Sequence, residues 1–303
     1  MIPGRVNIII PLYNQEQYVE QCLLSAMAQT YKNFDITIVN DGSTDCSRRV
    51  VQEVLDRWNR EDRERFINKD FYTNCPRSTI LPADPDYKDD PRDPGYQTSL
   101  RYRRDPEYLG GPNHKTVPGY WNFNGLLNII DQENRGLSES RNRGIREADG
   151  EYFLPLDSDD WIDPNYLELA VPKMADPEVG LVAPTMQYEG LLHNKIPPKG
   201  FTLEHQMRTN DLPVCSLIRR SAFDQTPGYE TIFIEVGGSS KVLGYEDWNL
   251  TIDLLKRGWK IATVPEPVFH YRVKPVSMIT QATKLHDGLV KLIHLLHPDL
   301  WPR

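Results

Sequence analysis

The sequence predicts a doubly wound α/β fold on a mostly parallel central sheet, and three observations carry that prediction. Short runs rich in β-branched and apolar residues alternate with amphipathic stretches of helical period, the first run reads as a strand buried on both faces rather than on one, and aspartates stand where two of the runs stop. Strands apolar on both faces belong to parallel sheets covered by helices, whose ligands bind beyond the carboxyl ends of the strands.

Residues 6–10, Val-Asn-Ile-Ile-Ile, end at Pro11 and read as the first strand. Across residues 16–29, Val19, Leu23, Leu24 and Met27 recur near helical spacing, and a second buried strand follows at 35–40. Asp41-Gly42-Ser43-Thr44-Asp45 then supplies turn and cap chemistry for a helix over 46–58, with Val50, Val51, Val54 and Leu55 inward. Residues 68–124 lose all period and gather Pro, Asp, Tyr and Arg. Irregular chain of that length is uncommon inside a domain unless it is functional or disordered, so the stretch reads as an insertion. Order resumes with a strand at 126–130, a helix at 138–148 and a strand at 152–156 that runs into Asp157. Further on, the pattern gives a helix at 165–174, a strand at 180–184, an ambiguous stretch to Phe223, a helix at 246–257, a strand at 260–264 and an amphipathic tail at 283–296.

With 39% hydrophobic and 26% charged residues, the composition is that of a soluble globular chain and excludes disorder as its general state. No apolar run approaches the roughly 18–20 residues of a bilayer span, and MIPGRVNIII enters a strand at once without the parts of a signal peptide. A cytoplasmic location is expected, with peripheral membrane association left open. Cys22, Cys46, Cys75 and Cys215 are too scattered for a CxxC knuckle or a disulfide framework, and read as buried or idle thiols. The formal charge of -8 weighs against a nucleic-acid duplex as main partner, although Arg101, Arg103 and Arg104 cluster around Tyr102.

Asp157-Ser158-Asp159-Asp160 places clustered carboxylates directly after a buried strand. They would repel one another unless a cation or donors met them. A divalent ion bridging a diphosphate is one reading, and a solvated acidic turn capping the helix near Asp163-Pro164 is the other. Asp41 is either an acceptor for a base or ribose or an Asx-turn residue, and the lone Gly42 makes no phosphate loop. Glu246-Asp247 opens a helix, where the dipole favours carboxylates without any function and where a base for a hydroxyl is equally well placed. His270 is a structural group or a ligand, and as a ligand it suits Mn²⁺ better than Mg²⁺.

Taken in order, IIIPLYNQEQYVEQCLLSAMAQTY, DITIVNDGSTD, ENRGLSESRNRGIREADGEYFLPLDSDDWIDP, GYEDWNL and VFHYR resemble glycosyltransferase family 2 on the GT-A fold, over residues 6–59 and 129–272. The resemblance implies that Pro11, Tyr13 and Glu16 line a nucleotide pocket, that Asp41 binds the base and that Arg141 reaches the nucleotide. Asp157 and Asp159 match the DxD that binds ribose and metal, with Ser158 between them in the donor pocket. Asp159 is then the first metal ligand, joined by Asp157, with His270 second and Asp160 able to exchange roles with Asp159. Asp247, flanked by Glu246, matches the catalytic base of the xED motif and implies inversion.

The implied cofactor is Mn²⁺ or Mg²⁺, and the implied donor is a nucleoside-diphosphate sugar, UDP being favoured by family frequency. The acceptor is a glycan or other small molecule; a protein or nucleic-acid acceptor, a catalytically silent nucleotide-sugar-binding protein and a homo-oligomer stay open. On this resemblance residues 1–67 and 125–160 form the nucleotide-sugar-binding half, 161–275 the acceptor-binding and catalytic half, and 276–303 a helical tail. Two departures stand out. Leu255-Lys256-Arg257-Gly258-Trp259 is not the QxxRW of the processive synthases, which points to transfer of a single sugar. The insertion lies where family members pass quickly from the second helix to the third strand, and it serves as an acceptor flap, an oligomer contact or a mere excursion.

Overall fold

The computed structural model describes residues 1–59, 126–236, 240–274 and 282–301. The predicted insertion at 68–124, with Cys75, Arg101, Tyr102, Arg103 and Arg104, lies outside the described residues. Strands β1 (Ile2–Leu12), β2 (Phe34–Asp41), β3 (Leu127–Gln132) and β4 (Gly150–Pro155) run parallel in the order β3-β2-β1-β4. Every residue of β2 is buried, and β1 is buried from Val6 to its end, the polar Asn7, Asp35 and Thr37 included, as in a sheet covered on both sides. Helices α1 (Val19–Met27), α2 (Ser47–Asn59) and α3 (Leu137–Glu147) follow β1, β2 and β3. Most of the described chain belongs to one compact unit, Met1–Val51 with Asn122–Arg303, while the end of α2 belongs to a second, Gln52–Trp121.

Helix α3 lies hard against the sheet because Gly144 has no side chain. A Cβ there would sit 2.5 Å from Ile9 Cγ2 and 3.2 Å from Val39 Cγ2, so the helix would have to lift off. Ile145, the next residue, joins Ile9, Phe153, Leu181, Ile218, Leu250 and Leu254 in the main core.

After β5 (Trp161–Ile162) come α4 (Tyr166–Ala170), a 3₁₀ turn over Val171–Ala175, β6 (Val179–Gly190), β7 (Lys195–Ile196) and α5 (Leu203–Gln206). Then follow β8 (Leu217–Arg219), α6 (Arg220–Phe223), β9 (Phe233–Val236), β10 (Ser240–Leu243), α7 (Glu246–Lys256), β11 (Lys260–Val273) and α8 (His286–Leu296). The sheet continues as β4-β8-β6-β11-β5, with β7 beside β6. Here β8 is antiparallel to both neighbours, β6 and β11 are parallel, and β5 is antiparallel to β11. Hairpin β9-β10 stands apart as its own small sheet.

Three predicted boundaries move. The helix expected over 165–174 turns into a 3₁₀ helix at Val171, because Pro172 has no N–H for the α-helical ladder. The strand expected to stop at Val264 runs on to Val273: Pro265 and Pro267 interrupt pairing, the register with β6 shifts between Val264 and Phe269, and pairing then resumes. The stretch from 185 to Phe223, ambiguous in the sequence, holds the second half of β6, the short β7 and β8, and helices α5 and α6. The amphipathic tail is helix α8, whose Leu289 and Ile293 are buried with Tyr245, Trp248 and Ile252 in a second core. Cys22, Cys46 and Cys215 are free, the first and last of them buried.

Candidate active site

Loops at the carboxyl ends of β1 and β2 hold each other. Asn14 takes a left-handed conformation at φ 51°, which Asn tolerates better than most residues. Its side-chain oxygen accepts from the Thr44 amide at 2.8 Å, and its own amide donates to Ser43 Oγ at 3.2 Å. Glu16 caps α2, its Oε2 accepting from the Cys46 amide at 2.8 Å. Pro11 is buried in β1 opposite Val39, and Tyr13 beyond it is exposed. Pro11, Tyr13 and Glu16 thus follow one another where the chain leaves the carboxyl end of β1.

Asp41 is buried at the end of β2 and organises the chain that leads into α3. Its Oδ1 accepts from Gln132 Nε2 at 2.7 Å and from the Arg135 amide at 2.8 Å, while Oδ2 accepts from the Gly136 amide at 2.8 Å. Three of the roughly four acceptor positions of a carboxylate are therefore in use within the protein. Gly136, at φ 90°, supplies a backbone angle that L residues rarely adopt.

From α3 the guanidinium of Arg141 enters the interior, only 1% exposed. Nη2 donates to Asp157 Oδ1 at 2.6 Å and Nη1 to Glu246 Oε1 at 2.5 Å, with the Tyr229 ring centre 5.3 Å away. Burial by itself would draw the guanidinium toward neutrality, but the two carboxylates outweigh it and raise its pKa. Expected to reach the nucleotide, Arg141 here bridges the DxD segment to the xED segment. Asp157 has its carboxyl pushed up by burial, opposed by Arg141 and reinforced by Asp159.

The remaining carboxylates of the turn divide by direction. Asp160 is 1% exposed; its Oδ1 accepts from the Arg272 amide at 2.8 Å, and its Oδ2 has no hydrogen-bond partner among the described residues. Burial, then Asp159 and Asp157, push its carboxyl well above the ordinary range. Asp157 and Asp159 keep side-chain exposures of 23% and 22%, which makes Asp159 rather than Asp160 the accessible one. Ser158 between them is buried.

Strand β11 braces this turn through alternate side chains. Arg272 lies between the rings of Tyr18 at 4.6 Å and Trp161 at 4.7 Å, and its Nε donates to the Asp159 carbonyl at 2.7 Å. Trp161 stacks in turn on His270 with ring centres 5.0 Å apart, an outcome of the β5–β11 pairing that sets the two residues opposite each other. His270 is engaged by carboxylates other than those of the DxD: Nε2 lies 3.0 Å from Asp163 Oδ1 and Nδ1 lies 3.1 Å from Glu189 Oε1. Burial favours its neutral form, yet the two hydrogen-bonded carboxylates prevail and hold its pKa up at about 8. Both ring nitrogens being engaged, His270 would have to leave a carboxylate before it met a metal. Lys274 meets Asp159 instead, Nζ to Oδ2 at 2.5 Å.

Across the site, α7 begins with Glu246, tied to Arg141, and Asp247, whose Oδ1 accepts from the Trp248 amide at 2.8 Å. Burial, then the neighbouring Glu246, push the Asp247 carboxyl up to about 7. Tyr245 precedes them in the left-handed region at φ 68°, a costly conformation for an aromatic residue. It is kept there by an edge-on contact with Trp248 and by a hydrogen bond between its hydroxyl and His286 Nδ1 at 2.9 Å.

The sequence profile described as Glycosyl transferase family 2 matches residues 7–70 and 117–227. The chain belongs to glycosyltransferase family 2. Among its relatives, glycosyltransferase GlyA of Streptococcus pneumoniae is 26% identical over 197 residues, which are 64% of this chain and 19% of GlyA. The chain therefore spans about a fifth of that protein's length. Among solved structures, S. aureus TarS 1-349 in complex with UDP-GlcNAc superposes with a TM-score of 0.58 at 16% identity, covering 96% of this chain and 66% of that one. Mannosyltransferase PcManGT from Pyrobaculum calidifontis in complex with GDP-Man and Mn²⁺ gives 0.52 at 16% identity, covering 91% and 59%. At this identity the likeness shows the fold, the GT-A arrangement that the motifs imply.

The donor chemistry of this family 2 site suits a hard divalent ion. Asp157 and Asp159 offer two partly exposed carboxylates, and Mg²⁺-like ions are commonly held by one or two carboxylates with substrate phosphates completing the shell. Among the described residues no group of three or more His, Cys, Asp or Glu is placed to hold a metal unaided, so phosphates or water would supply the other ligands. Arg272, Lys274, Tyr229 and Tyr245 escaped the sequence reading. For the first two a signal existed: His270, Arg272 and Lys274 stand at the period-two spacing that puts side chains on one face of a strand.

Proposed function

We propose that this family 2 chain transfers a single sugar from a nucleoside-diphosphate sugar, UDP being the favoured nucleotide, to a hydroxyl of a glycan or other small acceptor, with inversion. The observation that carries the reading is the Asp157–Arg141–Glu246 bridge, which joins two acidic segments distant in sequence and leaves Asp247 beside them with its carboxyl near 7. A base of that strength is half ionised near neutral pH and takes the acceptor proton as the hydroxyl attacks. Arg141 holds Asp157 and Glu246 in place, and Arg272 holds the DxD turn through the Asp159 carbonyl. A divalent ion on Asp159 and Asp157 would supply Lewis acidity and offset charge on the leaving diphosphate. The TarS complex supports a UDP-sugar donor, and the PcManGT complex supports manganese.

Calorimetric titration of UDP, GDP, CDP and dTDP, with and without Mn²⁺, tests this on the wild type and Asp159→Ala. Metal-dependent binding of one nucleotide, lost in the variant, is the expected outcome. Failure of all four to bind would overturn the catalytic reading.

A further inference from the structure

Lys274 follows directly on β11, with its side chain 19% exposed and its Nζ 2.5 Å from Asp159 Oδ2 and 5.1 Å from the centre of the Tyr18 ring. Of the three aspartates in the turn, Asp160 is turned inward and Asp157 is taken by Arg141. The ammonium thus sits on Asp159, the one of the two partly exposed carboxylates that Arg141 does not hold. Two cations cannot share that oxygen without strong repulsion, because like charges a few ångströms apart oppose each other even in a polar setting.

The two basic side chains at this end of β11 differ in freedom. Arg272 is held by Tyr18, Trp161, Gln21 and the Asp159 carbonyl. Among the described residues Lys274 is held by one partly exposed ion pair and one ring contact, both weak attachments, at the end of a flexible four-carbon stem. A diphosphate offers more negative charge than a single carboxylate and would draw the ammonium away.

On the reading that this site binds a donor diphosphate, we propose that Lys274 is a built-in counterion for Asp159 that transfers to the diphosphate when the donor arrives. Without donor it excludes divalent metal from Asp159. With donor it releases Asp159 and neutralises part of the diphosphate. Metal and nucleotide then bind cooperatively, each raising the affinity for the other by the same factor.

The test measures Mn²⁺ binding by electron paramagnetic resonance and UDP binding by calorimetry, on the full chain, for the wild type, Lys274→Met and Lys274→Arg. Removing the competing charge is expected to tighten binding of Mn²⁺ alone about tenfold in Lys274→Met, with Lys274→Arg close to the wild type. UDP binding without metal is expected to weaken about tenfold in Lys274→Met, and UDP is expected to enhance Mn²⁺ affinity more in the wild type than in that variant. Equal Mn²⁺ affinity in wild type and Lys274→Met, with UDP binding intact, would overturn the role of Lys274 and leave the donor site standing. Absence of UDP binding to the wild type, with or without Mn²⁺, would remove the donor site and the counterion role together.

Discussion

Replacing Asp247 by Asn separates the stability and the chemistry of this site, since it keeps the shape and deletes the charge. Burial and Glu246 raise the Asp247 carboxyl from its ordinary 3.8 to about 7. A group with a raised acidic pKa is protonated in the folded chain and ionised in the unfolded chain across the window between the two values. There the folded state binds more protons, so stability falls as pH rises. At about 1.4 kcal/mol per pH unit, the two units between pH 5 and 7 cost the wild type roughly 2–3 kcal/mol, after which the curve levels. Asp247→Asn removes this slope. Urea denaturation at pH 5, 7 and 8.5 should therefore find the variant gaining on the wild type by roughly that amount between pH 5 and 8.5. Its transfer activity should drop by about 10²–10⁴-fold, as expected when a general base is lost. The wild-type kcat/KM should fall on the acid side with a midpoint near 7. Parallel pH dependence of stability in the two proteins, or a variant that retains activity, would refute the assignment of Asp247 as a base raised by its surroundings.

Arg141→Met should destabilise the fold by about 3–5 kcal/mol in urea melts, because Asp157 and Glu246 would be left buried without their shared cation. A loss under about 1 kcal/mol would mean that the bridge is not a structural centre. His270 has a folded pKa of about 8 against an ordinary 6.5, so its paired, protonated form contributes fully below 6.5 and is lost as pH rises through 8. The shift corresponds to about 2 kcal/mol, so His270→Asn should erase about that much of the decline in stability between pH 6 and 9. An unchanged decline would place the titration elsewhere.

The parts legible in the sequence are those set by local pattern. Short runs rich in β-branched and apolar residues at β1, β2 and β4 fit a covered parallel sheet, and the period of 16–29 and 138–148 fits a helix with one face inward. Asp41, Asp157 and Asp247 could be placed at element ends because turns and caps have local chemistry. The course of β11 beyond Val264 was hidden by Pro265 and Pro267, which break pairing locally while β6 and β5 restore it across the sheet.

What the sequence by itself determined is the fold class and the order of acidic segments at strand and helix ends. The tertiary structure alone decided how those acids share charge. Asp160 has its carboxyl pushed up by burial and by Asp159 and Asp157, Asp41 is spent on amides 94 and 95 residues further along, and Arg141 unites Asp157 with Glu246, which lies 105 residues beyond Arg141. Protonation depends on burial and on the charges within a few ångströms, and no one-dimensional spacing records which residues those will be.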